Sequence, residues 1–272
     1  MRNIRLLFKK FSFFNQQLVT LYPVILNLTN GKNQKNYKYK MEKAINRIVL
    51  IISYIGEYPW YFPYFLHSCS YNTTVDFLIF SDNRTPNLDF PANVKIVSYS
   101  IETFKADAAK TLGFEVSIEA GYKLCDFKPA YGYIFSDIIS EYDFWGYCDV
   151  DVIFGNIRSF MTDELLNEYD IISSRHDYLT GCFSLYRNTP FFRELFKQSK
   201  DYRKVFTNPR NFFFDETNFA FEAFEKGIHY SQIRTEIESM THVVRRLQEE
   251  NKLKAYFEFQ IEIGRASCRE RV

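Results

Sequence analysis

Two carboxylates one residue apart, Asp149 and Asp151, close the most apolar stretch of this chain, Phe144-Trp145-Gly146-Tyr147-Cys148. A second apolar trio follows them, and then Gly155. An aromatic-rich apolar run bounded by glycine reads as a buried strand, here over residues 142–152. Alternation along a strand sends Asp149 and Asp151 to one side and Val150 to the other. Two like charges held that close repel unless a cation or hydrogen-bond donors lie between them. Mg²⁺ and Mn²⁺ take carboxylate oxygens and often bridge them to substrate phosphates. The spacing is that of a divalent-metal clamp at the end of a central strand. The plain alternative is an acidic turn, which the apolar surroundings disfavour because unpaired charge is costly there.

Other residues with chemical capacity stand at the ends of elements. Ser81-Asp82-Asn83 closes a strand expected over residues 75–80, at the carboxyl end where open α/β sheets bind ligands. Lys128-Pro129 reads as the start of a helix running to about residue 140. A lysine in that first turn faces the positive end of the helix dipole, an odd place for a cation unless an anion joins it. The alternative is a solvated surface lysine. Arg175, His176 and Asp177 lie in a polar loop where they could touch a sugar, although a lone loop histidine is more often simply solvated. Asp215 and Glu216 precede a helix expected to run to Lys226, where acids also suit the dipole on structural grounds alone. His229 and His242 are candidates for a third metal ligand.

The blocks Asp126-Phe127-Lys128-Pro129-Ala130-Tyr131-Gly132 and Phe144 to Asp151 resemble bacterial polysaccharide-cluster glycosyltransferases of the GT-A type. The pieces Gly181 to Asn188 and Phe214-Asp215-Glu216 fit the same pattern, and the resemblance runs from about Ile48 to Gln260. It implies a GT-A, Rossmann-like, mostly parallel sheet flanked by helices, and Mn²⁺ or Mg²⁺ held by Asp149 and Asp151. It implies a nucleotide-sugar donor contacted by Ser53, Asp82, Asn83, Lys128, Asp149 and Gly181. Asp215 and Glu216 become the catalytic acids, and the acceptor a saccharide or a lipid-linked sugar. Work of that kind belongs to surface-polysaccharide synthesis in the cytoplasm or at the inner face of the inner membrane. A related alternative is an inactive binding or assembly protein on the same fold. A metal-dependent phosphohydrolase would want more Asp or His ligands near the first strand, where residues 48–58 offer only Glu57.

The elements needed to position these groups are legible. The 272 residues, 46% hydrophobic, are enough for one sizeable α/β core. Residues 47–54 form a continuous apolar run, as in a strand covered on both faces. A helix follows over residues 59–70, then strands over 75–80 and 94–99. Ser100 caps the next helix, which stops at Gly113. Helices over residues 161–169 and 190–199 and strands over 170–174, 182–186 and 252–263 complete a doubly wound pattern. A net charge of +1 gives no reason to expect a nucleic-acid partner. The five cysteines show no metal-type pairing and fit reduced, buried thiols.

Charge marks off the beginning of the chain. Residues 1–40 hold eight Lys or Arg and no acid, leaving 26 basic and 33 acidic residues elsewhere. That segment reads as an extension, either a basic membrane-surface arm or sequence before a start at Met41. Residues 41–263 are the expected glycosyltransferase-like domain, with its C-terminal part cut short. The tail 264–272 reads as artefactual. No Gly-rich phosphate loop, nucleophile elbow, zinc motif or internal repeat is present.

Overall fold

The computed structural model describes residues 45–83 and 88–259. The basic segment 1–40, the Met41 start and the tail 264–272 lie outside the described residues. The strands are β1 (Ile48–Tyr54), β2 (Val75–Ser81), β3 (Val94–Ser98), β4 (Phe144–Cys148), β5 (Ile171–Ser173), β6 (Phe183–Arg187) and β7 (Ala255–Tyr256). They form one seven-stranded sheet in the order β3-β2-β1-β4-β6-β5-β7. β3, β2, β1 and β4 are mutually parallel. β6 runs against both β4 and β5, and β7 runs with β5. Only β6 is therefore reversed, and the sheet is the mostly parallel α/β sheet expected.

The sequence of β1, Ile-Val-Leu-Ile-Ile-Ser-Tyr, explains its central position. Ile48, Leu50 and Ile52 pack on one face with Phe77, Ile79, Phe144 and Leu185. Val49 and Ile51 pack on the other with Leu78, Phe80, Trp145, Tyr147 and Tyr186. A strand buried on both faces gains from apolar side chains at every position, each contributing about 1.5–3 kcal/mol. Gly146 lets β4 and β6 approach: a β-carbon there would stand 2.2 Å from the Ser184 carbonyl oxygen.

The helix Ile101–Leu112 starts and stops as its sequence indicates. The Ser100 hydroxyl accepts from the Thr103 amide at 3.1 Å, and Gly113 terminates the helix at φ 79°. Other helices differ from expectation. Residues 128–140 are not one helix. A 3-10 helix, Gly121–Ala130, is followed by a single α-turn, Tyr131–Ile134. Pro129 has no N–H to give an α-helical ladder, and Lys128 stands in the last turn of its element. The dipole argument for Lys128 therefore falls. The expected helix over 190–199 divides into Pro190–Arg193 and Leu195–Gln198, with Phe191 exposed. The helix expected from Asp215 begins only at Phe221. Among the described residues, no helix is long and apolar enough to cross a membrane.

Candidate active site

Parallel strands bring their carboxyl ends to a common edge. The chain steps outward from β1 to β2 and β3, then returns to the opposite side of β1 for β4. Such a switch point opens a crevice at the carboxyl edge of the sheet. Ser53 lies near the end of β1, Asp82 and Asn83 follow β2, and Asp149 and Asp151 follow β4. Because β6 is reversed, its beginning meets the same edge. Phe183 pairs with Cys148, and the Asp149 amide donates to the Cys182 carbonyl at 3.3 Å.

β4 ends at Cys148, so the two aspartates stand in the turn beyond the strand rather than on it. Strand alternation therefore does not reach them; Val150 is buried and both aspartates are half-buried. Asn72 fixes the chain beyond them. Its Nδ2 donates to the Gly155 carbonyl at 2.9 Å, and its Oδ1 accepts from the Ile157 amide at 2.8 Å.

Lys128 reaches this turn from the far end of its 3-10 helix. Its Nζ donates to Asp149 Oδ1 at 2.6 Å and to the Gly181 carbonyl at 2.9 Å, and lies 3.8 Å from Asp215 Oδ2. Burial pulls the pKa of this ammonium down, but the Asp149 and Asp215 carboxylates outweigh it and hold it well above the ordinary lysine value. Lys128 is a fixed positive charge inside the site.

Asp215 is 2% exposed, and its Oδ1 has no hydrogen-bond partner among the described residues. Burial pushes its pKa well up; Lys128 opposes the rise and the neighbouring Glu216 adds to it. Such a carboxyl is suited to carrying a proton. Glu216 Oε1 accepts from the Gly181 amide at 2.7 Å. The Glu216 carbonyl is held by the Thr241 hydroxyl at 2.5 Å and the Thr241 amide at 3.2 Å. Asp149, Lys128, Gly181, Asp215 and Glu216 thus come together from separate segments of the chain.

One buried anion holds the acidic loop in place. Asp126 Oδ1 accepts from the Phe214 amide at 2.8 Å, and Oδ2 accepts from the Phe212 amide at 2.9 Å and from Lys123 Nζ at 2.8 Å. Lys123 donates also to the carbonyls of Val205 and Arg210. Asp126 therefore positions Asp215, while Lys128, two residues on, enters the site itself. Sequence reasoning missed Lys123 and Thr241, and met Asp126 only as the first residue of the 126–132 block, without its role. The only available signal was a Lys and an Asp three apart in an apolar setting.

The remaining candidates divide. Asp82 Oδ1 accepts from the Gly56 amide at 2.8 Å and Asn83 Nδ2 donates to the Gly56 carbonyl at 3.3 Å, tying together the loops after β1 and β2. Arg175 donates to both Asp177 carboxylate oxygens, through Nε and Nη2. His176 is exposed, and its carbonyl accepts from Arg245 at 2.8 Å. His229 is bonded to Glu249 and Ser231. His242 is bonded to Ser239 and packed on Phe224. Neither histidine supplies the third ligand expected of it: among the described residues, no three His, Cys, Asp or Glu side chains form a metal-sized group. Asp149 and Asp151 are half-buried and carry hard oxygens, the donor type that Mg²⁺ and Mn²⁺ take.

A family model described as "Family of unknown function (DUF6625)" matches residues 50–266. No protein of curated function matches the sequence. Among solved structures, a crystal structure of the galactosyltransferase LgtC in complex with donor and acceptor sugar analogs matches at 13% identity. The match covers 58% of this chain and 64% of that one, with a TM-score of 0.32. The chain thus spans under two thirds of that enzyme, and a TM-score this low carries no argument about fold or function.

Proposed function

Since the chain belongs to the Family of unknown function (DUF6625), its site must speak for it, and we propose that it is a metal-dependent glycosyltransferase of the GT-A type. It moves a sugar from a nucleotide-sugar donor to a saccharide or lipid-linked acceptor in surface-polysaccharide synthesis. The reading includes a cytoplasmic site of action and admits peripheral contact at the inner face of the inner membrane. It is carried by one observation. A pair of half-exposed aspartates stands beside a buried cation and two buried acids, at the switch point of a mostly parallel sheet.

Asp149 and Asp151 would hold Mn²⁺ or Mg²⁺, which when bound supplies Lewis-acid neutralisation of a diphosphate. Lys128 adds a positive charge that burial and two carboxylates fix in place, where a departing nucleotide diphosphate needs it. Ser53, Asp82 and Asn83 line the neighbouring strand ends, on the nucleotide side. Asp215, with its unpartnered oxygen and raised pKa, is the group suited to hold or take a proton. Glu216, fixed by the Gly181 amide, orients a sugar hydroxyl.

The test is hydrolysis of a panel of nucleotide sugars with Mn²⁺, for wild type and Asp151→Ala. Turnover lost in the variant supports the transferase. Metal-dependent nucleotide-sugar binding with no turnover favours a binding protein on the same fold, a reading helped by the ion pair that Asp149 already makes with Lys128. Phosphate release from simple monoesters would replace both with a phosphohydrolase.

A further inference from the structure

The acidic loop and the hairpin of residues 174–182, between β5 and β6, are both seated on one helix, Met240–Glu249. The first N–H groups of a helix have no partner inside it. The Ser239 side chain at the N-cap takes none of them and is bonded instead to His242 Nδ1 at 2.8 Å. The acidic loop supplies the acceptors. The Met240 amide donates to the Phe214 carbonyl at 2.8 Å, and the Thr241 amide to the Glu216 carbonyl at 3.2 Å. The residues on either side of Asp215 are thus docked on the start of the helix.

The Thr241 hydroxyl makes a second link. It is fully buried, with one proton to give and lone pairs to accept with. The Leu179 amide can only donate, and does so to Thr241 Oγ1 at 3.1 Å. The Thr241 proton is therefore left for the Glu216 carbonyl, 2.5 Å away. Two residues beyond Leu179, the Gly181 amide donates to Glu216 Oε1 at 2.7 Å. These three hydrogen bonds close a ring through Thr241, residues 179–181 and Glu216. The hairpin side of the ring is stiff. Ser173 Oγ donates to the Tyr178 carbonyl at 2.8 Å, and Thr180 Oγ1 to the Phe183 carbonyl at 2.7 Å. One turn along the same helix face, Arg245 donates to the carbonyls of His176 at 2.8 Å and Asp177 at 3.1 Å. The helix therefore carries the hairpin from base to tip.

We propose that Thr241 is a positioning residue, whose hydroxyl joins the hairpin to the acidic loop and sets where the Glu216 carboxylate meets Gly181. This deepens the transferase reading and rests on it, since Glu216 is there the group that orients a sugar hydroxyl. Small displacements of an orienting group are costly in rate. Thr241 acts through Glu216 and Leu179, whereas the donor phosphates fall to Asp149, Asp151 and Lys128. Loss of the hydroxyl therefore lowers kcat and leaves the donor KM in place. Valine keeps the shape of threonine but leaves the enclosed Leu179 N–H without an acceptor, and serine keeps the oxygen.

The test compares wild type, Thr241→Val, Thr241→Ser and Leu247→Val in the full chain. Leu247 is a buried residue of the same helix, and shortening it costs stability without removing a hydrogen bond. Amide exchange by NMR is the first readout, taken relative to the amides of β1 so that a global loss of stability cancels. In Thr241→Val the Leu179 and Gly181 amides exchange about tenfold faster on that scale, although Gly181 is bonded to Glu216 and not to Thr241. Thr241→Ser and Leu247→Val keep the wild-type ratio. Hydrolysis of nucleotide sugars with Mn²⁺ is the second readout. Thr241→Val lowers kcat about tenfold at unchanged donor KM, while the other two variants keep the wild-type rate. A Gly181 amide that holds its wild-type ratio in Thr241→Val, a wild-type kcat in that variant, or an equal loss of kcat in Leu247→Val overturns the proposal. A wild type that hydrolyses no nucleotide sugar sinks the transferase reading, and the exchange ratios then decide the role of Thr241 by themselves.

Discussion

Gly181 has no side chain because Asp215 occupies its place: a β-carbon on Gly181 would stand 2.5 Å from Asp215 Oδ2 and 3.3 Å from Lys128 Nζ. Neither neighbour has room to retreat, since both are buried. Gly181→Ala is expected to cut nucleotide-sugar turnover about a hundredfold by displacing groups at the reacting centre. It should also cost about 1–3 kcal/mol of stability through overpacking. Steady-state rates and urea midpoints measure the two effects. A wild-type rate in this variant would remove the cluster from the chemistry.

Asp215 gives a dependence on pH. Its folded pKa is raised above the ordinary 3.8, chiefly by burial. The stability it contributes is therefore complete below that ordinary value and is lost as pH rises through the folded value. Asp215→Asn has no such loss. The melting temperature of the variant minus that of wild type should grow from about pH 4 upward and level off above the folded pKa. Paired thermal melts across the range decide it, and a flat difference counts against a buried, proton-holding carboxyl.

Lys128 and a divalent ion would compete for Asp149. Lys128→Met removes the ammonium that lies 2.6 Å from Asp149 Oδ1. Mn²⁺ binding, followed by electron paramagnetic resonance, should tighten about tenfold as that competing charge disappears. Binding of a nucleotide diphosphate should weaken in the same variant. The fold should lose roughly 1–3 kcal/mol, less than for a fully buried pair, because the Asp149 side chain is 37% exposed. Unchanged Mn²⁺ affinity would mean that Asp149 is not a metal ligand.

Asp126→Ala should be far more damaging to the fold than its distance from the clamp suggests. It strands the buried Lys123 ammonium and frees the amides of Phe212 and Phe214. The expected loss is about 3–5 kcal/mol, read as a shifted urea midpoint. A loss under about 1 kcal/mol would mean that the loop is held by other contacts.

The strands and the capped helix were legible in the sequence for local reasons. β1 and β2 are apolar at nearly every position, which only a sheet covered on both faces rewards. Ser100 and Gly113 bracket their helix with its own start and stop signals. The segment 121–140 was not legible, because its conformation answers to distant partners: Lys123 is held by the carbonyls of Val205 and Arg210. Within the site, the aspartate pair and Lys128 stood out by residue type. Their ion pair did not, since it joins positions 21 residues apart whose directions depend on Pro129 and on where β4 ends. The purpose of Asp126 was hidden for the same reason, its amide partners lying more than eighty residues further along.

The reversed direction of β6 has a further effect on how this protein could diversify. Residues 174–182 leave the sheet and re-enter it on the same rim, between β5 and β6. Gly181 at its base is held by Lys128 and Glu216, whereas Arg175 and His176 at its tip are not buried. Reshaping that tip would alter which molecule is admitted without breaking a single strand pairing, so chains built to this plan should vary at the tip while the base and the register beneath it stay the same.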